Sequence, residues 1–516
     1  MSLPRLVLPA AAWVGLALAG CGAAQDDHVG GGESPAALAA AKTITEEDIL
    51  RRLSVIAHDS MLGRATPSPE LDEVARWAAA EFEKTGLRPA FSEGWVQEYT
   101  IRTEVPDFET SAASLGGRSL AFGESVGMPF GPQAESEVDA PLLVISGIRG
   151  WQRSLAVEEL AGAAVLIVGN RDEPGPRSQD ALQMFNLIRD ANPALVVFAV
   201  DLPDQDWAAA IEHQGETSVT RPLGFGGVPV LSVRDQVLQG PLHEKGIDLA
   251  ELRDRAGGTV QTIAVPDLPV RASVRNRVLV SESAPNVAAL LPGSDSALAD
   301  EVIVLSAHMD HVGVGRPDAA GDSIYNGADD DASGTVTIIE VAEALASLDP
   351  APRRSFVFLL VSGEEQGLWG SRWFAEHPPV PMSDMVANLN LDMVGRNWDD
   401  TIVVIGKEHS DLGSTLSTVN DRHPELRMQA IDDLWPEDGY YFRSDHYNFA
   451  SRGVPVLFFF NGIHGDYHEP GDEVDKIDGE KTARIGRLVY YLGLEIASRD
   501  VRPRWDPKSY ERIAGG

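Results

Sequence analysis

The chain of 516 residues contains a single cysteine. One cysteine cannot form an intramolecular disulfide framework, and it cannot supply the thiolates of a cysteine-rich zinc site. Basic residues are also scarce, with 42 against 78 acidic ones and a formal net charge of -36. Because a surface this acidic repels phosphate groups, the sequence predicts no nucleic-acid partner. Any metal site in this chain must be built from histidine and carboxylate side chains.

The N-terminal residues are typical of an export signal. Arg5 precedes an apolar run at residues 6–19, which is too short to form a comfortable bilayer-spanning helix. The sequence Leu-Ala-Gly-Cys that ends at Cys21 resembles the lipobox of bacterial lipoproteins, in which the cysteine becomes the lipid-modified first residue. We therefore predict a lipoprotein signal peptide at 1–20, a flexible tether at 21–42, and a cell-envelope protein attached to a membrane through Cys21. An ordinary secretory signal with a chance cysteine is the alternative.

Two helices and an inserted domain are predicted before residue 266. One helix is capped by Thr45, and the other begins at Ser68 and ends near Gly86; both are expected to pack and to contribute no chemistry. Short apolar runs separated by turns fill residues 136–265 and predict a β-rich α/β unit. This stretch resembles the protease-associated domain, an insert of several exopeptidase families, in the sequences EELAGAAVLIVGNRDE and GGVPVLSV. The alternative is an extra subdomain that shapes access to a site elsewhere.

Strands alternate with helices between residues 266 and 500. The predicted strands of this region are 301–306, 355–361, 385–391, 401–405 and 454–460. The predicted helices are 333–347, 367–376 and 410–420. Continuous apolar strands separated by helices indicate an α/β fold with a mostly parallel, doubly wound sheet. Residues 501–516 are predicted to be a C-terminal tail.

Side chains that bind metals follow four of these strands. They are His308 and Asp310, Asp329 to Asp331 before the next helix, Glu364 and Glu365, Asp392, and His464 and His468. Ligands of an open α/β sheet bind beyond the carboxyl ends of its strands, so we expect these residues at one edge. Each has an ordinary explanation alone, such as helix capping for the aspartates. Their coincidence predicts a metal site, because gathered carboxylates repel one another unless cations compensate them.

Charge counting favours two metal ions. The carboxylates of Asp330, Glu365 and Asp392 bring about -3, and two zinc ions with one hydroxide balance them if the histidines are neutral. Two ions bridged by a carboxylate and a hydroxide form an arrangement suited to hydrolysis.

The motifs around these residues resemble those of the M28 family of zinc exopeptidases, whose members include bacterial leucyl-type aminopeptidases. The motifs are AHMDH, NGADDDASG, SGEEQGLWGS, NLDMVG, SDHYNF and YHEPGDEVD. The resemblance covers most of residues 45–135 and 266–495, and it implies one peptidase domain formed by 43–135 and 266–500. It also implies two Zn²⁺ sites, which His308 with Asp392 and Glu365 with His468 complete, and which Asp330 bridges.

The resemblance further implies roles for three neighbouring residues. Glu364 matches the general base that takes a proton from the attacking water. Asp310 matches an acid that accepts the imidazole N–H of His308 and fixes its tautomer. Tyr441 matches a tyrosine that donates a hydrogen bond to the tetrahedral oxyanion. These roles indicate a di-zinc aminopeptidase that removes N-terminal residues from a peptide substrate through a metal-bridging hydroxide.

Three alternatives stay open at this point. A carboxypeptidase would need a cation for the terminal carboxylate, and Arg396 and Arg443 lie close to the motifs. A glutaminyl cyclase would use a related site with one zinc, and a non-catalytic binding module would keep only the fold. The complete ligand set favours hydrolysis over the last two. The sequence leaves open the preferred substrate residue and the oligomeric state.

Overall fold

A computed structural model describes residues 33–146, 159–169, 188, 191–224, 227–254 and 260–515. The predicted signal peptide and Cys21 lie outside these residues. Two large β-sheets of ten and eight strands organise the described chain.

The strands and helices are numbered in chain order. The strands are β1 (Arg88–Pro89), β2 (Val96–Pro106), β3 (Ala112–Leu115), β4 (Arg118–Leu120), β5 (Val126–Gly127), β6 (Ser136–Ser146), β7 (Ala164–Val168), β8 (Leu195–Val200), β9 (Val219–Pro222), β10 (Val230–Arg234), β11 (Gln261–Val274), β12 (Asn276–Leu291), β13 (Val302–His308), β14 (Gly313–Val314), β15 (Ile324–Tyr325), β16 (Ser355–Val361), β17 (Met385–Leu391), β18 (Thr401–Ile405), β19 (Gln429–Ile431) and β20 (Val456–Phe459). The α-helices are α1 (Pro35–Ala41), α2 (Glu46–Ile56), α3 (Pro69–Lys84), α4 (Asp204–Glu216), α5 (Asp235–His243), α6 (Leu249–Asp254), α7 (Gly334–Ala346), α8 (Trp369–Glu376), α9 (Leu412–Arg422), α10 (His446–Ala450), α11 (Gly479–Ser498) and α12 (Pro507–Ile513).

The larger sheet has the strand order β19-β18-β20-β17-β13-β16-β12-β2-β9, with β1 paired to β12. Its central strands β20, β17, β13 and β16 are parallel. Every residue of β13, β16 and β17 is buried, as expected for strands covered on both faces. The α/β fold class is thus confirmed. Antiparallel pairs flank the parallel centre, so the complete sheet is mixed.

Helices cover both faces of this sheet. On one face, α11 packs against α7, α2 and α9. Because α7 lies between the sheet and other helices, almost all of its residues are buried. On the other face, α10 contacts β20 and α8. All predicted strands and helices after residue 300 form, with ends shifted by at most two residues.

The predicted N-terminal caps are confirmed. The side chain of Thr45 accepts a hydrogen bond from the backbone N–H of Asp48 at the start of α2. The side chain of Ser68 accepts one from the N–H of Leu71 at the start of α3. Each side chain satisfies a donor that the first helical turn would otherwise leave without a partner.

The second sheet has the strand order β4-β3-β11-β6-β7-β8-β10-β5. Its strands extend from Ala112 to Val274, so the predicted insert bounds of 136 and 265 are too narrow. β3 and β4 lack a continuous apolar run, and β11 stays paired with β6 beyond residue 265 across an irregular register. Within the same stretch, β9 pairs with β2 of the larger sheet.

The predicted tether and tail both contain packed helices. Ser34 caps α1, whose residues Ala37, Ala40 and Ala41 are buried, and the hydroxyl of Tyr490 donates to the carbonyl of Ala37. The alanines that favoured a flexible linker in the sequence therefore form the face of α1 that packs against α7 and α11. At the other end, Ile513 of α12 is buried in the core beneath α10. No helix in the described part of the chain has the length and apolar character that a bilayer crossing requires.

Candidate functional site

The carboxyl ends of the central parallel strands bring the predicted ligands together. His308 ends β13, Asp392 follows β17, and Glu365 lies four residues beyond β16. Asp330 comes from the π-helical turn Ala328–Ser333 before α7, and His468 comes from the loop that follows β20. Their side chains form two groups that share Asp330.

The first group consists of His308, Asp330 and Asp392, all of which are buried. His308 Nε2 lies 3.3 Å from Asp330 Oδ1 and 3.6 Å from Asp392 Oδ1. Ligand atoms bound at about 2.1 Å to one tetrahedral ion lie about 3.4 Å apart, so these separations suit a common cation.

The second group uses the other oxygen of Asp330. His468 Nε2 lies 3.2 Å from Asp330 Oδ2 and 3.0 Å from Glu365 Oε2. Because the two groups face different oxygens of one carboxylate, Asp330 has the geometry of a bridging ligand. The ring of His311 belongs to this group, with Nδ1 2.8 Å from Glu365 Oε1. His311 was not among the predicted ligands, although it is the second histidine of the AHMDH motif.

Four polar atoms of the second group have no hydrogen-bond partner among the described residues. These atoms are His311 Nδ1, Asp330 Oδ2, Glu365 Oε1 and His468 Nε2. Burying a polar atom without a partner costs on the order of 1–3 kcal/mol, and four such atoms converge here. A cation among them would satisfy all four at once, so the residues present fit a metal ion.

Within the aspartate triplet, the middle residue faces both groups. The carboxylate of Asp331 instead accepts hydrogen bonds from three backbone N–H groups, those of His308, Gly334 and Met393. Asp329 Oδ1 accepts from the N–H of Gly395 at 2.6 Å. The flanking aspartates therefore fix the backbone that carries the ligands, while Asp330 remains available to a metal.

Asp310 supports the site differently from its predicted role. Its Oδ1 lies 3.7 Å from His308 Nδ1, which is too long for a hydrogen bond, whereas its backbone carbonyl oxygen lies 3.2 Å from that nitrogen. The carboxylate accepts from Thr66 Oγ1 at 2.8 Å and from the N–H of Glu364 at 3.3 Å. The carbonyl oxygen of Asp310 is thus the acceptor within reach of His308 Nδ1, and the carboxylate of Asp310 positions the loop that holds Glu364.

The segment between α2 and α3 contributes a buried cation. Arg64 is fully buried, and its guanidinium donates to four carbonyl oxygens, those of Ile56, Met309, Asn326 and Gly327. Burial lowers the pKa of Arg64 to about 10, against the opposing effect of Asp310 and Asp330. Arg64 therefore ties the loops that follow His308 and precede Asp330, in a region where the sequence predicted packing alone.

Glu364 lies in a pocket beside both groups. The other residues that line this pocket are His308, Asp330, Glu365, Asp392, Met393, Tyr440, Arg443, Ser444, Phe458, Phe460, Ile463 and Tyr467. Burial raises the pKa of Glu364 well above its usual range, and Asp445 and Asp392 add to this effect while His308 opposes it. Cations in the pocket would favour the ionised carboxylate, which is the form a general base requires.

Tyr441 does not line this pocket, so the predicted oxyanion role is not supported. Its ring packs edge-on against His409 and His446, with centroids 4.5 Å and 5.4 Å away. Residues 440–442 form one 3₁₀ turn, in which successive side chains point about 120° apart. The turn directs Tyr440 into the pocket and Tyr441 into the core.

The two arginines near the motifs have different environments. Arg396 pairs with Asp466 at 2.8 Å and lies 3.8 Å from Asp472. Arg443 lines the pocket with its guanidinium 4.8 Å from the ring centre of Tyr440, and it forms no ion pair with a residue that the structure describes. Of the two, Arg443 is the one able to meet an anionic group in the pocket.

Comparison with known proteins gives matches to peptidases. A family model described as Peptidase family M28 matches residues 286–493. A probable leucine aminopeptidase of Arthroderma otae is 30% identical over 221 residues, covering 41% of this chain and 58% of that protein. A probable zinc metalloprotease of Pyricularia oryzae is 31% identical over 338 residues, covering 58% of this chain and 66% of the relative.

A bacterial protein is also similar to this chain. Aminopeptidase YwaD of Bacillus subtilis is 25% identical over 211 residues, covering 40% of this chain and 43% of that protein. The chain thus spans from under half to about two thirds of the length of these relatives. The family match includes the two side-chain groups around Asp330 and the pocket that contains Glu364. Residues 286–493 are therefore similar to peptidase family M28.

Proposed function

We propose that the chain is a di-zinc exopeptidase that removes N-terminal residues from peptides. The observation that carries this proposal is the meeting of two ligand groups on the two oxygens of Asp330, with Glu364 in the same pocket. Zinc suits the donor set, because every candidate ligand is an imidazole or a carboxylate. The names of the relatives, leucine aminopeptidase and zinc metalloprotease, point in the same direction.

The chemistry can be divided between the ions and the chain. When bound, zinc would polarise the scissile carbonyl and make an adjacent water more acidic. Glu364 takes the proton of that water during attack and returns it to the leaving amine. The carboxylate of Asp310 accepts a hydrogen bond from the backbone N–H of Glu364, and this bond keeps the Glu364 carboxylate next to Glu365. The side chain of Glu364 therefore carries one proton from the attacking water to the newly formed amine and ends in its starting protonation state.

The pocket wall supports a substrate with an apolar N-terminal residue. Phe458, Phe460, Ile463, Met393 and the ring of Tyr440 line it together with the carboxylates. A protonated α-amine is stabilised by the carboxylates near the ligand groups, whereas an apolar side chain removes these aromatic and aliphatic surfaces from water. This combination favours an aminopeptidase.

A carboxypeptidase is the second candidate, because of Arg443. Its guanidinium lines the same pocket without an ion-pair partner among the described residues, and it could bind a terminal carboxylate. The two candidates differ in the peptide end that must be free.

The test uses purified mature protein with defined metal content and peptides that differ only in blocked ends. We expect cleavage of peptides with a free N-terminus, whether or not the C-terminus is amidated. Glu364→Gln should keep both metals and lose activity by ~10²–10⁴-fold, because the proton acceptor is removed while the ligands stay. Glu212→Gln, at an exposed glutamate on α4, is the matched control and should behave as wild type.

Three results would contradict the proposal. Cleavage of N-blocked peptides alone would establish the carboxypeptidase. A metal-loaded Glu364→Gln protein with normal turnover would remove Glu364 from the proton transfer. Binding of peptides without any cleavage by metal-loaded wild-type protein would indicate a binding module.

We further propose that the protein is a lipoprotein of the cell envelope and that the second sheet forms a protease-associated domain. The sequence at residues 18–21 supports the lipid anchor, and the motifs at residues 158–173 and 226–233 support the domain. A lipid on Cys21 would place the pocket on the outer side of the membrane across which the protein is exported.

A further inference from the structure

His311 occupies a place in the second ligand group that the reaction proposed above does not use. The residue lies three positions beyond His308 and is fully buried. Its Nδ1 is 2.8 Å from Glu365 Oε1 and 3.7 Å from Asp330 Oδ2. The ring also meets that of His468 edge-on, with centroids 5.4 Å apart. Two imidazoles therefore approach the same pair of carboxylates.

A hydrogen bond between His311 and Glu365 would be the simplest explanation, but the geometry does not fit one. Within the described chain neither Nδ1 nor Oε1 has a hydrogen-bond partner, although the atoms are only 2.8 Å apart. A ring N–H lies in the plane of the ring, so a short distance without alignment yields no bond. The other nitrogen of the ring, Nε2, has no partner among these residues either. The lone pair of Nδ1 is therefore available to a cation shared with the carboxylates.

The backbone around His311 leaves little space for another arrangement of the ring. Gly327, at φ +55°, lies so close that a Cβ at this position would be 2.5 Å from His311 Cγ. The N–H of His311 donates to the carbonyl of Arg64 at 3.2 Å, and the Arg64 guanidinium donates to the carbonyl of Gly327. Arg64 thus fixes the backbone of His311 and also the backbone of Gly327, which contacts the ring of His311.

We propose that His311 Nδ1 is a metal ligand and that the two metal positions are unequal. One position then has four protein ligands, from His311, Asp330, Glu365 and His468. The other has three, from His308, Asp330 and Asp392. Four protein ligands close a tetrahedral zinc site, as in structural sites, whereas three leave a coordination position for water or substrate. The closed position fills first and holds its ion tightly, and the open position exchanges its ion and meets the substrate. This inference rests on the proposed pair of metals.

The test follows metal binding in the full-length protein and does not depend on activity. Metal-free protein is titrated with Zn²⁺ against a competing chelator, and the protein with one equivalent is examined by zinc X-ray absorption. We expect two separable affinities, and two imidazole ligands on the first zinc. In His311→Gln the first zinc should show one imidazole and bind at least ~10-fold more weakly, since even the loss of an outer partner costs that much. The introduced side-chain amide retains an N–H for Glu365, so a hydrogen-bonding role alone would leave the affinity nearly unchanged.

His409→Gln is the matched control, because His409 is a buried histidine outside both ligand groups. The His409→Gln protein should retain both zinc affinities.

Unfolding of the metal-free variants, followed by circular dichroism, shows whether the His311→Gln protein is folded. If the His311→Gln protein is unfolded, the number of imidazole ligands on the first zinc of the wild-type protein is the test of the inference. One imidazole on that zinc, or unchanged affinities in folded His311→Gln, overturns the inference. Two bound zinc ions without peptide hydrolysis would refute the proposed function and leave this inference intact.

Discussion

Arg52 is a buried cation that joins three helices. It lies on α2, and its guanidinium contacts Glu81 of α3 at 3.0 Å and Glu343 of α7 at 2.8 Å. It also donates to Glu340 of α7. Burial raises the pKa of Glu340 to about 7, even though the charge of Arg52 opposes the shift. The buried carboxylates of Glu81 and Glu340, which lie on neighbouring helices, therefore share the guanidinium of Arg52 as a counter-ion.

Removing this guanidinium should destabilise the protein strongly. We expect Arg52→Ala to lower the free energy of unfolding by about 3–5 kcal/mol, since buried carboxylates would lose their partner. The pKa of Glu340 rises from about 4.5 in the unfolded chain to about 7 in the folded protein. The free energy of unfolding therefore falls as the pH rises between these two values, because the unfolded chain releases this proton first. In the variant the pKa of Glu340 rises further, so the loss should be larger at pH 8 than at pH 5.5. Denaturant titrations at both pH values measure it.

The neighbouring arginine provides the control for that experiment. Arg51 is exposed and pairs with Asp48 at 2.9 Å on the surface of the same helix. Arg51→Ala should change the free energy of unfolding by less than ~1 kcal/mol, because exposed ion pairs contribute little. Equal losses in the two variants would show that burial of the Arg52 charge is not the cause.

Single residues also show how far the sequence could predict the site. Position at strand ends and helix starts predicted a metal site, and the resemblance of the surrounding motifs selected its five candidate ligands, His308, Asp330, Glu365, Asp392 and His468. The direction of a side chain outside regular structure has no such signal. His311 is in contact with Glu365 only because the loop after β13 turns back, and Tyr441 points into the core because of a 3₁₀ turn. These contacts depend on backbone turns that no local pattern encodes.

The connection from β13 to α7 carries adjacent aspartates with opposite functions. Asp330 faces the ligand groups, and its Oδ2 has no hydrogen-bond partner in the part of the chain that the structure describes. Asp331 links the end of β13, the start of α7 and the end of β17 through the N–H groups of His308, Gly334 and Met393. The carboxylate of Asp331 thus fixes the connection between β13 and α7, and the carboxylate of Asp330 faces the two ligand groups.

Matched alanine substitutions should separate these functions. Asp331→Ala should lower the free energy of unfolding of metal-free protein by at least ~3 kcal/mol, since three buried N–H groups lose their acceptor at about 1–3 kcal/mol each. Asp330→Ala should change it by no more than ~1 kcal/mol, yet abolish stable binding of zinc at both positions. Denaturation in the presence of chelator and metal analysis of purified protein provide the two readouts. A stability loss in Asp330→Ala as large as in Asp331→Ala would contradict this division.

Whole elements were predictable where burial is continuous. The central strands are mostly apolar because helices cover both faces, and their ends were predicted to within two residues. The strands β3 and β4 are short and partly exposed, so they have no apolar run to reveal them. The same holds for α1, whose alanines pack against α11 but are equally typical of a linker. Contacts that form only in the tertiary structure determine these elements.

At the scale of the whole molecule, the net charge and the position of the single cysteine act together. The charge of -36 would repel the anionic surface of a membrane, so attraction to the bilayer is not expected from the folded part. The membrane attachment that we propose would then depend on Cys21. Because α1 is capped by Ser34, only residues 22–33 separate the proposed lipid from the folded chain. A segment of that length spans at most ~40 Å when fully extended, so an anchored protein would work close to the membrane surface.

Substitution of Cys21 tests this arrangement without touching the peptidase site. In bacterial cells, we expect wild-type protein in the membrane fraction and Cys21→Ser protein in a soluble fraction, with unchanged hydrolysis per molecule. Labelling with a fatty acid should mark wild-type protein only, and the result is unambiguous because the chain has no other cysteine. Ser92→Ala, a substitution at an exposed residue, controls for expression and fractionation. Unlabelled wild-type protein in the soluble fraction would indicate an ordinary secretory signal, whereas membrane-bound Cys21→Ser protein would mean that another part of the chain supplies the attachment.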